Sequence, residues 1–373
     1  MKFIIKRDIF LKNLSQASKI VPAKIVNAIF LNAKLVLTKD GLDIICSNST
    51  LSIFNHIPTF MHGIQVIRDI TEGSILVNAY YLTEIAKRIT DDEFSFEIID
   101  SSIAKIETSN SSFKLNTMRV EEYVDINFEK EGAKIIIPAK TLVETTNQVA
   151  FAASTKDTRP SLTAVNVESD TSKVIFTATD GARLAKRILD IQTLERVNAN
   201  IPAKSLQEVV KSIENEENIE VYVGDKRVLF VLENTLISTT LINQEYPNTR
   251  NIIPKNFYYE LNVNANELIS AIERVSLFSS ERENVVKLIM SEAKVEVSSK
   301  SQQIGSAIES ISNFRFKGDR LEISFNSEYV KSAIKAYKSD DVVLSFLGEM
   351  KPFTVKDPNE EEIIQLITPV RTY

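Results

Sequence analysis

One pattern occurs six times along this chain, and it constrains the fold more than any other feature. A short apolar run leads into Lys6-Arg7-Asp8-Ile9-Phe10, Asn78-Ala79-Tyr80-Tyr81-Leu82, Pro138-Ala139-Lys140-Thr141-Leu142, Pro202-Ala203-Lys204-Ser205-Leu206, Asn264-Ala265-Asn266-Glu267-Leu268 and Asn326-Ser327-Glu328-Tyr329-Val330. An amphipathic helical stretch follows each time. The anchors Phe10, Leu82, Leu142, Leu206, Leu268 and Val330 lie 72, 60, 64, 62 and 62 residues apart. A period near sixty, kept throughout, means six copies of one supersecondary unit. Stacked repeats present extended surfaces, which points to binding before catalysis.

The second copy shows the unit in full. Residues 74–77 read as a buried strand, and Asn78 as an N-cap whose side-chain oxygen accepts from an early helix N–H. Tyr81, Leu82, Ile85 and Ile89 recur at helical spacing on one face. Lys87 and Arg88 sit near the helix end, where positive charge complements the dipole. Residues 94–98 alternate at period two, as a half-buried strand does. The fourth copy repeats the plan: Pro202 at the helix start, a stripe of Leu206, Val209, Val210 and Ile213, a strand over 219–223, a turn at 224–227 and a returning strand at 228–232. In the sixth, Tyr329, Val330, Ile334 and Tyr337 form the stripe and 342–346 the strand. One helix over about four short strands buries too little to stand alone. Two copies sharing a core make a domain of about 120 residues, so six make three domains. The charged stretch 127–132 and the bend-rich stretch 246–254 are the expected seams.

No apolar run approaches the ~18–20 residues that cross a bilayer. The start, Met1-Lys2-Phe3-Ile4-Ile5-Lys6-Arg7, turns charged too early for a secretory signal. The single cysteine, Cys46, excludes an internal disulfide and a multi-cysteine zinc site. The expectation is a cytoplasmic protein in a reducing compartment, with no membrane partner. The net charge of −6 argues against a conventional nucleic-acid binder, but it hides an asymmetry. The six predicted helical stretches, 6–20, 78–90, 138–155, 202–214, 264–277 and 326–338, together carry +5 and leave −11 for the rest. A cationic face of that kind attracts polyanions even on an acidic chain.

Reactive chemistry is not legible. Neither GxxxxGK[ST] nor GxGxxG occurs, and the nine glycines are scattered. His56 and His62 have no Cys, His or carboxylate cluster around them in sequence, and Cys46 reads as strand packing. Asp180-Gly181 lies between apolar runs and reads as a hairpin turn. The acidic runs Asp91-Asp92 and Glu360-Glu361-Glu362 read as solvated loop charges. The expectation is therefore no enzyme, no catalytic residue, no metal and no cofactor. The ending, residues 363–373, is apolar almost throughout, as a final edge strand or one wall of a partner groove would be.

At this point the residues resemble a known family, the bacterial DNA polymerase III beta subunit. The resemblance spans the chain. It is carried by Arg159-Pro160-Ser161-Leu162, Thr179-Asp180-Gly181-Ala182-Arg183-Leu184-Ala185, Tyr246-Pro247 through Ile252-Ile253-Pro254, Phe325-Asn326-Ser327-Glu328-Tyr329-Val330 and Pro369-Val370-Arg371. It implies an α+β fold of three similar domains, 1–126, 133–252 and 254–373, each with two helices packed on small antiparallel sheets. It further implies a head-to-tail homodimeric ring with helices lining the hole. Such a ring encircles and slides on duplex DNA without regard to sequence. It tethers the replicative DNA polymerase and serves a clamp loader and other proteins bearing a clamp-binding motif.

By the same resemblance, a partner-peptide groove between the second and third domains involves Leu162, Thr179, Gly181, Arg183, Leu184, Pro247, Ile252, Asn326, Tyr329, Pro352, Leu366, Thr368, Pro369, Val370 and Arg371. In it Leu162, Leu184, Ile252, Leu366 and Val370 supply an apolar floor, Gly181 permits close approach, and Arg183 and Arg371 meet peptide carbonyls or acids. The ring seam matches Phe113 and Leu115 on one side, Leu277 and Phe278 on the other. DNA-facing candidates are Lys12, Lys19, Lys24, Arg159, Lys331 and Lys335. The chain departs from the family pattern at Ala28-Ile29-Phe30, where Pro-Ile-Leu is common, at Ala182 and Thr368, where bulkier side chains are common, and at Val124, where proline is usual. Competing readings are a clamp-like paralogue serving repair, a non-ring repeat scaffold for proteins, and a hydrolase using acids in an inter-domain cleft.

Overall fold

The computed structural model describes residues 1–22, 27–156, 158–279 and 284–371. Six α-helices stand among them, one per repeat: α1 Arg7–Ser18, α2 Ala79–Arg88, α3 Ala139–Val149, α4 Ala203–Lys211, α5 Ala265–Ser276 and α6 Ser327–Lys335. The repeated residue ahead of each helix explains three of the starts. The side chains of Asn78, Asn264 and Asn326 accept from the N–H groups of Tyr81, Glu267 and Glu328, satisfying donors that the helix itself leaves unpaired. Pro138 and Pro202 end the strands before α3 and α4. Helix ends fall short of expectation in the third, fourth and sixth copies, the sixth ending at Lys335. The third becomes a 3-10 turn at Ala150–Ala152. In the fourth, the Ser212 hydroxyl donates to the Glu208 carbonyl just past the last turn.

The chain divides into two compact units, Met1–Ala139 with Glu208–Leu241, and Lys140–Gln207 with Ile242–Tyr373. The division runs through α4, so the middle repeats contribute to both. The reason is strand pairing that ignores repeat boundaries.

In the first unit one antiparallel sheet runs Ala133–Pro138, Asn218–Val223, Arg227–Val231, Thr235–Thr240, Leu51–Pro58, Gly41–Ser47, Asn32–Leu37, Gly73–Asn78, Ser112–Met118, Ile103–Glu107, Glu93–Ile99, Lys2–Lys6 and Ile67–Thr71. Its fourth and fifth strands join in the register Thr235 opposite Asn55 through Thr239 opposite Leu51. Two potentially adhesive edges thereby cover each other. Helices α1 and α2 pack together beside this sheet. Phe3 stacks on Phe96 and Phe10 meets Phe94 edge-on, both at 5.1 Å, in a core that also buries Leu14 and Ala17 of α1. The α2 stripe differs from expectation: Ala79, Leu82, Thr83 and Ala86 are buried, Ile85 is partly covered, and Tyr81 is 58% exposed beside an equally open Tyr80.

In the second unit a nine-stranded antiparallel sheet runs Asn198–Pro202, Ala164–Ser169, Val174–Thr179, Arg183–Leu189, Ile363–Ile367, Phe353–Lys356, Asp341–Phe346, Tyr259–Asn264 and Phe314–Lys317. Here the join is Arg183 opposite Ile367 through Arg187 opposite Ile363. The apolar C-terminal run is thus an interior strand, not an edge. A separate four-stranded sheet runs Gly305–Ile311, Val295–Ser301, Val285–Met290 and Leu321–Asn326. Helices α5 and α6 pack together over a core in which Phe325, Phe346 and Phe353 touch in series. The Tyr337 hydroxyl, buried there, donates to the Val355 carbonyl at 2.9 Å. No helix among the described residues is long and apolar enough to cross a membrane.

Candidate peptide groove, strand edges and basic helices

The hairpin at Asp180-Gly181-Ala182 organises the groove. Gly181 takes φ +93°, the left-handed region that glycine enters without a Cβ penalty. Asp180 Oδ1 accepts from the N–H groups of Ala182 (2.9 Å) and Arg183 (3.0 Å). Thr179 Oγ1 accepts from Gly181 N–H at 3.1 Å and donates to the Arg183 carbonyl at 2.5 Å. Sequence and structure agree on this turn.

Arg183 is held on three sides. Its Nε donates to Asp180 Oδ2 at 3.0 Å, and its guanidinium lies 4.5 Å from the Tyr329 ring centroid and 5.4 Å from that of Phe151. Only 17% of the side chain is exposed. Pairing through Nε and stacking on two rings fix the position of the guanidinium. Arg371 is exposed. Tyr329 stands in the first turn of α6, placed there by the Asn326 cap. Burial pushes its hydroxyl pKa up, with Asp180 adding and Arg183 opposing.

The C-terminal segment completes the frame. Thr368 N–H donates to the Ala182 carbonyl at 2.8 Å, and Val370 N–H to the Ser324 carbonyl at 2.7 Å, so residues 368–370 are laced between the hairpin turn and strand Leu321–Asn326. Leu184 and Leu366 face each other across paired strands. With Leu162, from the 3-10 turn Pro160–Thr163, they are buried. Thr179 is buried beside them, Pro369 and Val370 are partly covered, and Thr368 and Gly181 are open. Pro352 leads into the strand whose Phe353 faces Ile367. Pro247 and Ile252 are exposed.

The segment carrying Pro247 and Ile252 is tied down by groups that sequence reasoning missed. Asn200 Nδ2 donates to the Gln244 carbonyl at 2.6 Å, Gln244 Oε1 accepts from Ser161 N–H at 3.3 Å, and Asn166 Nδ2 donates to Asn200 Oδ1 at 2.9 Å. Tyr246 is largely buried, which raises its hydroxyl pKa. Phe151 was missed as well. A lone aromatic just past a helix end carries no signal until Arg183 is placed above it.

The six cationic candidates fall in different settings. Lys12 pairs with Glu214 (2.5 Å), Lys331 with Glu328 (2.7 Å) and Lys335 with Glu273 (3.7 Å). The pairs of Lys12 and Lys335 are exposed and therefore weak, so a phosphate can replace the carboxylate at little cost. Lys331 is 14% exposed and is the least available of them. Lys19 is exposed just beyond α1. Arg159 Nη2 lies 3.4 Å from where a Cβ on Gly181 would stand, which sets it beside the groove turn. Lys24 lies outside the described residues. His56 Nδ1 is 2.7 Å from Asp43 Oδ1 on the neighbouring strand, and His62 occupies a tight turn at φ +49°.

The four seam candidates lie on or beside two open strand edges. In strand Ser112–Met118 only Thr117 and Met118 pair with Gly73–Asn78, which leaves 112–116 one-sided among the described residues. Phe113 and Leu115 are partly covered there. Strand Gly305–Ile311 is the last of its sheet, with Ile308 68% exposed. Leu277, 73% exposed, follows α5, and the Phe278 ring lies 3.9 Å from a Cβ built on Gly305.

Paired repeats of one helix on antiparallel sheets, joined edge to edge across repeat boundaries and ending in a laced C-terminal segment, fit a protein of the DNA-clamp class. Models of the DNA polymerase III beta subunit match the N-terminal domain over residues 1–127, the central domain over 136–248 and the C-terminal domain over 250–371. The beta sliding clamps of Bacillus subtilis and Staphylococcus aureus are 35% and 32% identical to the chain, with full coverage of both partners in each case. The crystal structure of the Bacillus subtilis DNA polymerase sliding clamp superposes with a TM-score of 0.96 over all of both chains. That of the DNA polymerase III beta chain from Streptococcus pneumoniae gives 0.95 at 30% identity, again over all of both chains. The chain belongs to the DNA polymerase III beta-subunit family, and its fold is the three-domain clamp fold.

Proposed function

We propose that two copies of this chain close head to tail into a ring that encircles duplex DNA, slides on it and tethers the replicative DNA polymerase. Family membership over the full length carries this reading. The two open strand edges give it a physical route. Residues 112–116 of one copy and Gly305–Ile311 of another each lack a partner on one side among the described residues, and pairing them would cover both while burying Leu115, Leu277 and Ile308. The domains are 1–126, 133–252 and 254–373.

Sequence-independent phosphate contact is made through Lys12, Lys19, Lys24, Arg159, Lys331 and Lys335. Such contact is weak enough to permit sliding and falls as salt rises. The groove takes short, mostly apolar peptides. Leu162, Leu184, Ile252, Leu366 and Val370 form its apolar floor, Pro247, Pro352, Thr368 and Pro369 border it, and Arg183 stacked on Tyr329, with Asn326 capping the helix that carries Tyr329, forms a wall. Arg371 is its charged end. The clamp loader and other proteins bearing clamp-binding motifs share that groove. The chain works in the cytoplasm, and the ring itself performs no chemistry.

The test is primer extension on a long single-stranded template with the cognate polymerase and loader. Long products from single binding events are expected with the wild-type chain. Doubling Leu184→Ala with Val370→Ala should shorten them while leaving a dimer at twice the 42.0 kDa chain mass. Full-length products from that double variant would rule out the groove assignment.

A further inference from the structure

The α2 surface carries a feature that the groove and the strand edges do not use. Tyr80 and Tyr81 are 65% and 58% exposed, with ring centroids 5.3 Å apart and planes at 74°. Their position is fixed by burial of the opposite face, Ala79, Leu82, Thr83 and Ala86, and by the Asn78 cap. One and two turns on, the same outward face presents Glu84, Lys87 and Arg88. The Glu84 carboxylate accepts from Lys87 at 3.0 Å and from Arg88, and these bonds hold it well below the usual carboxylate range. Helix α2 packs against α1, whose Lys12 and Lys19 are exposed. Two adjacent phenols thus lie on a helix pair whose predicted segments, 6–20 and 78–90, carry +3 and +1 on a chain of net −6.

We infer that Tyr80 and Tyr81 are uncharged contacts to the sugar–phosphate backbone of duplex DNA, their hydroxyls donating to phosphate oxygens while the rings lie against deoxyribose. The inference rests on the reading that the helices face DNA and deepens it. A tyrosine hydroxyl is an ordinary phosphate donor, and it reads no sequence. A phenol differs from lysine in one measurable respect: it neutralises no phosphate and releases no counterion. The pair therefore supplies a part of duplex affinity that salt does not erode, while Lys12 and Lys19 supply the part that salt removes. Cationic neighbours select a polyanion over a protein partner, and an intact duplex offers its backbone, not its base faces, to a helix surface of this kind.

The experiment measures duplex affinity of the full-length dimer across a range of salt concentrations for three proteins: wild type, Tyr80→Phe with Tyr81→Phe, and Lys12→Gln with Lys19→Gln. The phenylalanine pair keeps the ring volume and both helix neighbours, so thermal unfolding should match wild type. Loss of two hydroxyl donors to charged acceptors should weaken binding by about tenfold at every salt concentration, with the log–log slope unchanged. The glutamine pair removes four charges from the dimer and should flatten the slope by roughly two to four. Affinity of the phenylalanine pair within twofold of wild type, or a slope that moves as the lysine variant's does, would overturn the inference. Retention of the wild-type ring on closed circular DNA, measured alongside, separates the two levels. If wild type is retained while the phenylalanine pair binds equally well, only the tyrosine inference fails. If wild type is not retained, the ring reading fails.

Discussion

At Gly181 the backbone holds φ +93°, and the nearest heavy atom to an added Cβ is the Arg159 guanidinium at 3.4 Å. Space is therefore adequate and conformation is not. Gly181→Ala should cost about 1 kcal/mol of stability. Because Ala182 presents its carbonyl to Thr368, the variant should also weaken peptide binding, as read from a urea midpoint and a fluorescent-peptide titration. Cys46 offers a second residue-scale prediction. Burial raises its thiol pKa from 9.0 to about 12, with a Ser18 hydrogen bond opposing. A raised pKa means that the folded state keeps its proton longer than the unfolded one. The stability linked to this proton is complete below about pH 9 and is lost as pH rises through about 12. The native thiol should resist alkylation at pH 8, and denaturant should expose it; rapid native labelling would contradict the burial. The turn at Asp180-Gly181 was legible because its determinants are consecutive. The stack of Phe151, Arg183 and Tyr329 was not, since its members come from three distant segments and each has an ordinary local explanation.

Among elements, the helices were the most legible, because period and caps are local signals. Asn264→Ala should cost about 1 kcal/mol, since its side chain accepts from Glu267 N–H at 3.0 Å. A thermal midpoint equal to wild type would mean that water replaces the cap without loss. The α2 stripe was misread at Tyr81 because hydropathy counts an aromatic ring as buried, whereas packing on the sheet selected Ala79, Leu82, Thr83 and Ala86. Strand partners were less legible still. The joins of Thr235–Thr240 to Leu51–Pro58 and of Arg183–Leu189 to Ile363–Ile367 are made by backbone groups, which carry no side-chain code. The open edges lead to a prediction at this scale. Ile308→Lys places a charge on the exposed edge strand and should convert the dimer to monomer by native mass spectrometry, without lowering the unfolding temperature. A dimer that survives this change would exclude that edge from the seam.

The six predicted helical stretches carry +5 on a chain of net −6, a distribution suited to loose, sequence-independent contact with DNA. Topology, not affinity, then provides persistence. That claim is tested most directly by loading the protein onto DNA and measuring retention on closed circular against linearised duplex, at low and at high salt. The account predicts that circles keep the protein at both salt concentrations and that linearisation releases it from the ends. Equal retention on both forms, or loss from circles as salt rises at the rate seen on linear DNA, would contradict encirclement.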